Sequence, residues 1–178
     1  MVPFCFMTVT ASGLLISFAA MRILMVCLGN ICRSPMAEGI LRHKVKEHGL
    51  DWVVDSAGTE SYHVGEAPHK FSQNICRVHG IDISDQRARK FVAADFAKYD
   101  KIYAMAADVY DEIDGIGGRH ADMNKVDYFL NELPDNTIKN ASVPDPYYGG
   151  ESGFTEVYEM IDKICDAIID RYKKDNYV

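Results

Sequence analysis

The 178-residue sequence lacks a basic surplus: 19 Lys and Arg face 26 Asp and Glu, a formal net charge of -7. That balance argues against a generic nucleic-acid binder, which needs a basic face. It leaves room for a local anion site, because backbone amides supply one without any net charge. A cysteine framework is missing too. Cys5, Cys27, Cys32, Cys76 and Cys165 are odd in number and spread along the chain, unlike the even, dense pattern of a disulfide-stapled domain. A reducing, cytoplasmic setting is expected. There is also no uninterrupted apolar run of membrane length. The charge-free opening "MVPFCFMTVTASGLLISFAA" is broken by Thr8, Thr10, Ser12 and Gly13, so neither a transmembrane span nor stable membrane association is expected. Ser17 and Ala19 are small residues of the kind found at a secretory cleavage site, but the positive n-region of an export signal is absent. Secretion would need this stretch to act as a weak signal. Residues 1–20 read instead as a poorly ordered extension ahead of a natural start at Met21. No repeat, charge block or Ser/Pro-rich linker divides the remainder, so residues 21–178 read as one domain.

What is present is alternation of two periodicities. Ile23 to Val26 is a continuous apolar run, as in a central parallel strand buried on both faces. From Ser34 the spacing turns helical, with Ala37, Ile40, Leu41 and Val45 recurring; Ser34 reads as the N-cap, Pro35 as the first helical residue and Gly49 as the stop. "DWVVDSAGT" reads as a second strand ending near Ser56. "APHKFSQNICRVHG" reads as a helix with Phe71, Ile75 and Val78 on its apolar face. "DKIYAMA" is a third strand, followed by a short helix around Asp108 to Ile113, and "NKVDYFL" supplies a fourth strand. A last helix carries an apolar stripe from Phe154 through Ile161, Ile164 and Ile168 to Tyr172. Strands alternating with helices imply an α/β fold: a three-layer α/β/α sandwich, Rossmann-like, around a four-stranded parallel sheet. Such sheets bind ligands beyond the carboxyl ends of their strands.

The stretch "VCLGNICRSP", Val26 to Pro35, lies at such an end. Five residues between Cys27 and Arg33 suffice to wrap a semicircle whose amides point inward, and the wrap feeds the N-terminus of the next helix. Gly29 keeps a side chain out of the way, and Asn30 tolerates a left-handed turn. Arg33 can grip a phosphate through two donors at once. Such a cradle favours the thiolate, the nucleophilic form of cysteine. A thiolate beneath a bound tetrahedral anion attacks phosphorus in line, so the loop reads as that of a phosphate-monoester hydrolase with a cysteinyl-phosphate intermediate.

"VCLGNICRSPMAE" resembles the signature of the low-molecular-weight protein tyrosine phosphatases. The resemblance covers nearly all of Met21 to Tyr172. It takes in "WVVDSAGT", "HGI" at His79 to Ile81, the "DPYYG" run at Asp145 to Gly149, and the terminal helix. Cys-x5-Arg alone is shared by unrelated phosphatases; the long loop motif together with the late Asp-Pro-Tyr-Tyr is highly specific. The resemblance implies a phosphotyrosine phosphatase I-like fold, with no cofactor and no metal. It implies Cys27 as nucleophile, Arg33 as phosphate and transition-state clamp, and Asp145 as the acid that protonates the leaving phenol and then activates water. Leu28, Gly29, Asn30, Ile31, Cys32 and Ser34 would bind the phosphate, with Ser34 hydrogen-bonded to the thiolate. Ser56 and His79 would hold Asn30 in its strained turn. Tyr147 and Tyr148 would wall the substrate ring opposite Tyr62, and the paired tyrosines are candidates for regulatory phosphorylation. Cys32 alone reads as a packing residue, whereas the resemblance implies a reversible disulfide with Cys27 that guards the nucleophile. The implied partner is a phosphotyrosine protein, a tyrosine kinase being one candidate, met by a monomer or weak dimer.

Other readings compete. A zinc site at Cys27, Cys32, His43 and His48 has superficial spacing, but the first cysteine closes a buried strand and the two histidines fall on different helix faces. Relatives acting on phosphoarginine tend to carry Thr where this chain has Ile31, and the apolar residue favours tyrosine. A thiol-linked arsenate reductase would need a cysteine relay, which Cys76 and Cys165, both on helices and read as structural, do not supply. A non-catalytic anion module would leave Cys27, Arg33 and Asp145 together without a reason. The chain departs from the family at Met105-Ala106, where relatives commonly show Met-Asp, and in the loop around His63, Glu66, His69 and Lys70.

Overall fold

A computed structural model describes residues 20–134 and 138–175. Apart from Ala20, the extension expected over residues 1–20 lies outside the described residues. The apolar run after Arg22 forms β1 (Arg22–Cys27), every residue of which is buried from Ile23 onward. β2 (Val53–Gly58) and β3 (Lys101–Ala104) flank it, and β4 (Val126–Tyr128) completes the sheet. All pairings are parallel, in the order β2-β1-β3-β4. The chain leaves β1 for β2 on one side and returns to β3 on the other, so the strand order reverses beside β1. Beyond the carboxyl ends at that reversal is the crevice where open α/β sheets bind ligands.

Alternation along β1 divides the core. Ile23, Met25 and Cys27 face a layer that includes Met36, Ile40, Ile161 and Ile168, from α1 (Arg33–Glu47) and α5 (Gly150–Asp175). Leu24 and Val26 face the opposite layer, where Phe96 of α3 (Asp95–Lys98) and Val109 and Ile113 of α4 (Ala107–Gly117) pack. With α2 (Lys70–Val78) on the α1 side, this is the three-layer sandwich that the periodicities imply. Each fully buried aliphatic side chain contributes about 1.5–3 kcal/mol, so the double-sided burial of β1 makes the root of the functional loop rigid. Among the described residues, no helix is long and apolar enough to cross a membrane.

Local details differ from the expectations. α1 starts at Arg33 with Cys32 at the N-cap position, and Ser34 lies inside the first turn rather than capping it. Its hydroxyl is turned toward Cys27 instead. Val78 is 78% exposed. The docked face of α2 is set by Ser72 and Cys76, and a residue two positions beyond Cys76 lies about 200° around the helix. β4 is only three residues long, because one-turn helices at Met123–Lys125 and Phe129–Glu132 close it on both sides.

Candidate active site

Cys27 is the last residue of β1 and opposes Gly58 of β2. A side chain at Gly58 would place a Cβ 2.7 Å from the Leu28 carbonyl oxygen and 3.0 Å from the Asn30 nitrogen, so only glycine lets the loop close over β2. The loop carbonyls are pinned outward by two stretches, residues 59–60 and 69–72. Thr59 N–H donates to Cys27 O at 3.1 Å, Glu60 N–H to Leu28 O at 2.9 Å and His69 N–H to Ile31 O at 2.7 Å. Ser72 Oγ donates to Cys32 O at 3.4 Å. In a trans peptide the N–H points away from its C=O, and the described chain holds no cis bond. The N–H groups of Leu28, Gly29, Cys32 and Arg33 therefore turn inward, as a cradle for an anion requires.

The turn itself is made by Asn30, at φ 55. Gly29 has no positive φ; its contribution is space, since a Cβ there would sit 3.0 Å from His63 Cδ2. Asn30 N–H donates to Cys27 Sγ at 3.3 Å. Its side-chain amide donates to Ser34 Oγ and Ser56 Oγ, both at 2.9 Å, and Asn30 Oδ1 accepts the Arg89 N–H at 2.9 Å. Ser56 Oγ in turn donates to Glu38 Oε2 at 2.6 Å. Ser34 Oγ lies 3.0 Å from Cys27 Sγ. Asn30 thus donates to both serines, and the hydrogen-bonded chain from Cys27 through Ser34, Asn30 and Ser56 ends on the buried Glu38 carboxyl group. Burial, foremost, pushes the Glu38 carboxyl above its ordinary range; Asp55 adds to this, while Ser56 and Arg42 oppose it.

The structure does not bring His79 to this network. It follows the last residue of α2, is exposed, and stacks on Tyr158 of α5 with ring centroids 4.2 Å apart. Asn30 is held instead by Ser34, Ser56 and the Arg89 N–H, with Glu38 accepting from Ser56. A signal for Glu38 was available, since it sits one turn beyond Ser34 on the same helix face.

Arg33 is buried, with Nη1 on Val143 O at 3.1 Å and Nη2 on Asp145 Oδ2 at 2.7 Å. Asp145 is 39% exposed, and its Oδ1 accepts the Tyr147 N–H at 3.0 Å. A cavity of about 380 Å³ opens above Cys27 and Arg33, lined also by Leu28, Gly29, Ile31, Cys32, Tyr62, His63, Asp145, Tyr147 and Tyr148. His63, paired with Glu66 at 2.9 Å, is a lining residue that the motif did not single out. A roomier hollow of about 540 Å³ near Phe96 and Lys125 is lined by no cysteine. Cys32 is a free, buried thiol, pushed up to about 12, first by burial and then by Cys27 and Asp145. Cys76 and Cys165 are fully buried, and burial raises both thiols.

The sequence model of the low molecular weight phosphotyrosine protein phosphatases matches residues 22–177. The chain belongs to this family. Among similar low molecular weight protein-tyrosine-phosphatases, PtpA of Staphylococcus aureus is 38% identical, over 84% of this chain and 92% of its own. YfkJ of Bacillus subtilis is 36% identical, over 86% and 96%. The crystal structure of YfkJ superposes with a TM-score of 0.82 at 35% identity, covering 89% of this chain and 98% of the other. A Drosophila arginine phosphatase superposes with a TM-score of 0.79 at 33% identity, covering 86% and 98%. This member of the family places its motif cysteine, arginine and late aspartate around one cavity.

Proposed function

We propose that this phosphatase hydrolyses phosphotyrosine in proteins through a cysteinyl-phosphate intermediate formed on Cys27. The observation that carries this reading is the Cys27 thiol at the centre of inward amides, with Arg33 and Asp145 on the open side. A phosphate dianion entering the cradle competes with Asp145 for the Arg33 guanidinium and offers it two oxygens in place of one. Cys27 sulfur attacks phosphorus, and the bond from phosphorus to the aryl oxygen breaks. The electron pair leaves with that oxygen, which takes a proton from Asp145. Water then attacks phosphorus, Asp145 takes the water's proton, and the Cys27 thiolate departs. The cradle amides and Arg33 bear the charge of both transition states.

Tyr62, Tyr147 and Tyr148 supply an apolar wall that suits a planar ring, and phosphoserine is too short to bring its phosphorus to the floor from that rim. The likeness to a Drosophila arginine phosphatase supports a second substrate, phosphoarginine. Ile31 weighs against it, since an apolar side chain lining the cavity offers nothing to a guanidinium. To the same reading belongs the redox guard: peroxide oxidises Cys27 to the sulfenic acid, and the Cys32 sulfur displaces water to form the disulfide.

The test compares p-nitrophenyl phosphate, phosphotyrosine and phosphoarginine as substrates, with acid-quench trapping of the phosphoenzyme. Cys27→Ser is expected to abolish turnover and trapping. Asp145→Ala is expected to lower kcat/KM for phosphotyrosine about 10²- to 10³-fold. Activity retained in Cys27→Ser overturns the mechanism, and a dominant phosphoarginine rate overturns the substrate.

A further inference from the structure

Helix α4 begins without a cap of its own. Ala106 stands at its N-cap position and has no side-chain acceptor, although every helix start leaves unpaired N–H groups. The acceptor comes from a distant segment: Ser142 Oγ takes the Ala107 N–H at 3.0 Å. Ser142 lies three residues before Asp145. Its neighbour Val143 is bound on both sides, its N–H donating to Met105 O at 2.8 Å and its carbonyl accepting from Arg33 Nη1 at 3.1 Å. At the root of the segment, Asn140 N–H donates to Asn131 Oδ1 at 2.9 Å, and Asn131 Nδ2 donates to Asn140 Oδ1 at 3.0 Å. The stretch that delivers Asp145 is therefore fastened at Asn140, Ser142 and Val143. Of these fasteners, only Ser142 ties it to the start of α4. Ser142 is exposed, so its hydroxyl fills no place in the core.

We propose that Ser142 is a positioning residue for Asp145: by capping α4 in place of Ala106, its hydroxyl fixes the acid-bearing segment against the carboxyl end of β3. The proposal rests on Asp145 as the general acid. Without the hydroxyl, the Ala107 N–H turns to water and Val143 alone ties the segment to the end of β3. Cys27 still attacks, but the proton reaches the leaving oxygen less often in the productive geometry. The loss then falls on substrates whose leaving group most needs that proton. A stability effect would not discriminate among leaving groups in this way.

The experiment measures kcat/KM for a series of aryl phosphates, from dinitrophenyl to unsubstituted phenyl phosphate, in Ser142→Ala, Ser142→Thr and Asp145→Ala. Ser142→Ala is expected to lose about three- to tenfold with phenyl phosphate and less than about twofold with dinitrophenyl phosphate. Ser142→Thr, which keeps the hydroxyl, is expected to restore the parent rates. Unchanged phenyl phosphate rates in Ser142→Ala, or an equal fall across the series, overturn the positioning role. If Asp145→Ala shows the steep leaving-group dependence while Ser142→Ala does not, only the role of Ser142 falls. If Asp145→Ala shows none, the general-acid reading falls and takes this proposal with it.

Discussion

At the floor of the cavity Cys27, Asn30, Arg33 and Ser34 are buried; Cys27, Asn30 and Ser34 are joined by hydrogen bonds between 2.9 and 3.3 Å, and Arg33 is held by Val143 O and Asp145. At its rim Tyr62 is 78%, Tyr147 49% and Tyr148 92% exposed, and Tyr148's ring contact is with its neighbour Tyr147. The floor is defined by donors aimed at one point, as phosphate chemistry demands. The rim is defined by apolar area that adapts to whatever ring enters. A residue of the floor should therefore act on turnover, and a residue of the rim on the affinity for extended substrates.

The sharpest way to break this contrast is Asn30→Ala. Alanine at φ 55 costs about 1–2 kcal/mol in backbone strain, and the loss of three side-chain bonds frees the loop. We expect kcat for p-nitrophenyl phosphate to fall about ten- to a hundredfold, together with a lower urea midpoint. Parent-like kcat would show that the cradle does not depend on its asparagine. A smaller effect is expected from Tyr148→Ala: kcat on p-nitrophenyl phosphate within about twofold of the parent, and KM for a phosphotyrosine peptide raised about three- to tenfold. A kcat loss equal to that of a floor variant would erase the distinction.

The smallest effect concerns Glu38, at the far end of the floor's hydrogen-bond chain. Its carboxyl is raised above the ordinary 4.5 by burial first, so between that value and its own the folded chain binds more protons than the unfolded one. Stability from this group is full below pH 4.5 and declines as pH rises across the window. Glu38→Gln retains an acceptor for Ser56 and is expected to remove that decline in urea melts taken across the window. A slope left unchanged would place it on another group.

Those expectations also mark what the sequence could and could not disclose. The loop from Cys27 to Ser34 was legible because its residues are contiguous, and the turn, the amides and the guanidinium follow from spacing alone. The layer order followed from apolar runs and helical stripes. His79 stacks on Tyr158 because the side on which an end-of-helix side chain falls depends on how α2 docks, which local spacing does not encode. Ser-Pro is a strong local signal for a cap at Ser34, but the nearby thiol and Asn30 take its hydroxyl. Arg89 enters through its backbone, which no residue-type pattern reveals. Ser142 joins α4 from 35 residues away, a tertiary contact without local signature.

The outward pinning of the loop carbonyls bears on how the chain would acquire the reactivity proposed for Cys27. Residues 59, 60, 69 and 72 hold those carbonyls, while 56 and 89 hold Asn30. A span reaching from β1 to beyond α2 must be assembled before the amides face one another. Until then Cys27 is an ordinary cysteine in an apolar segment, no different in kind from Cys76. The nucleophilic role proposed for Cys27 is then a product of folding rather than of composition, and a reagent selective for activated thiols is expected to count native molecules in a mixed population.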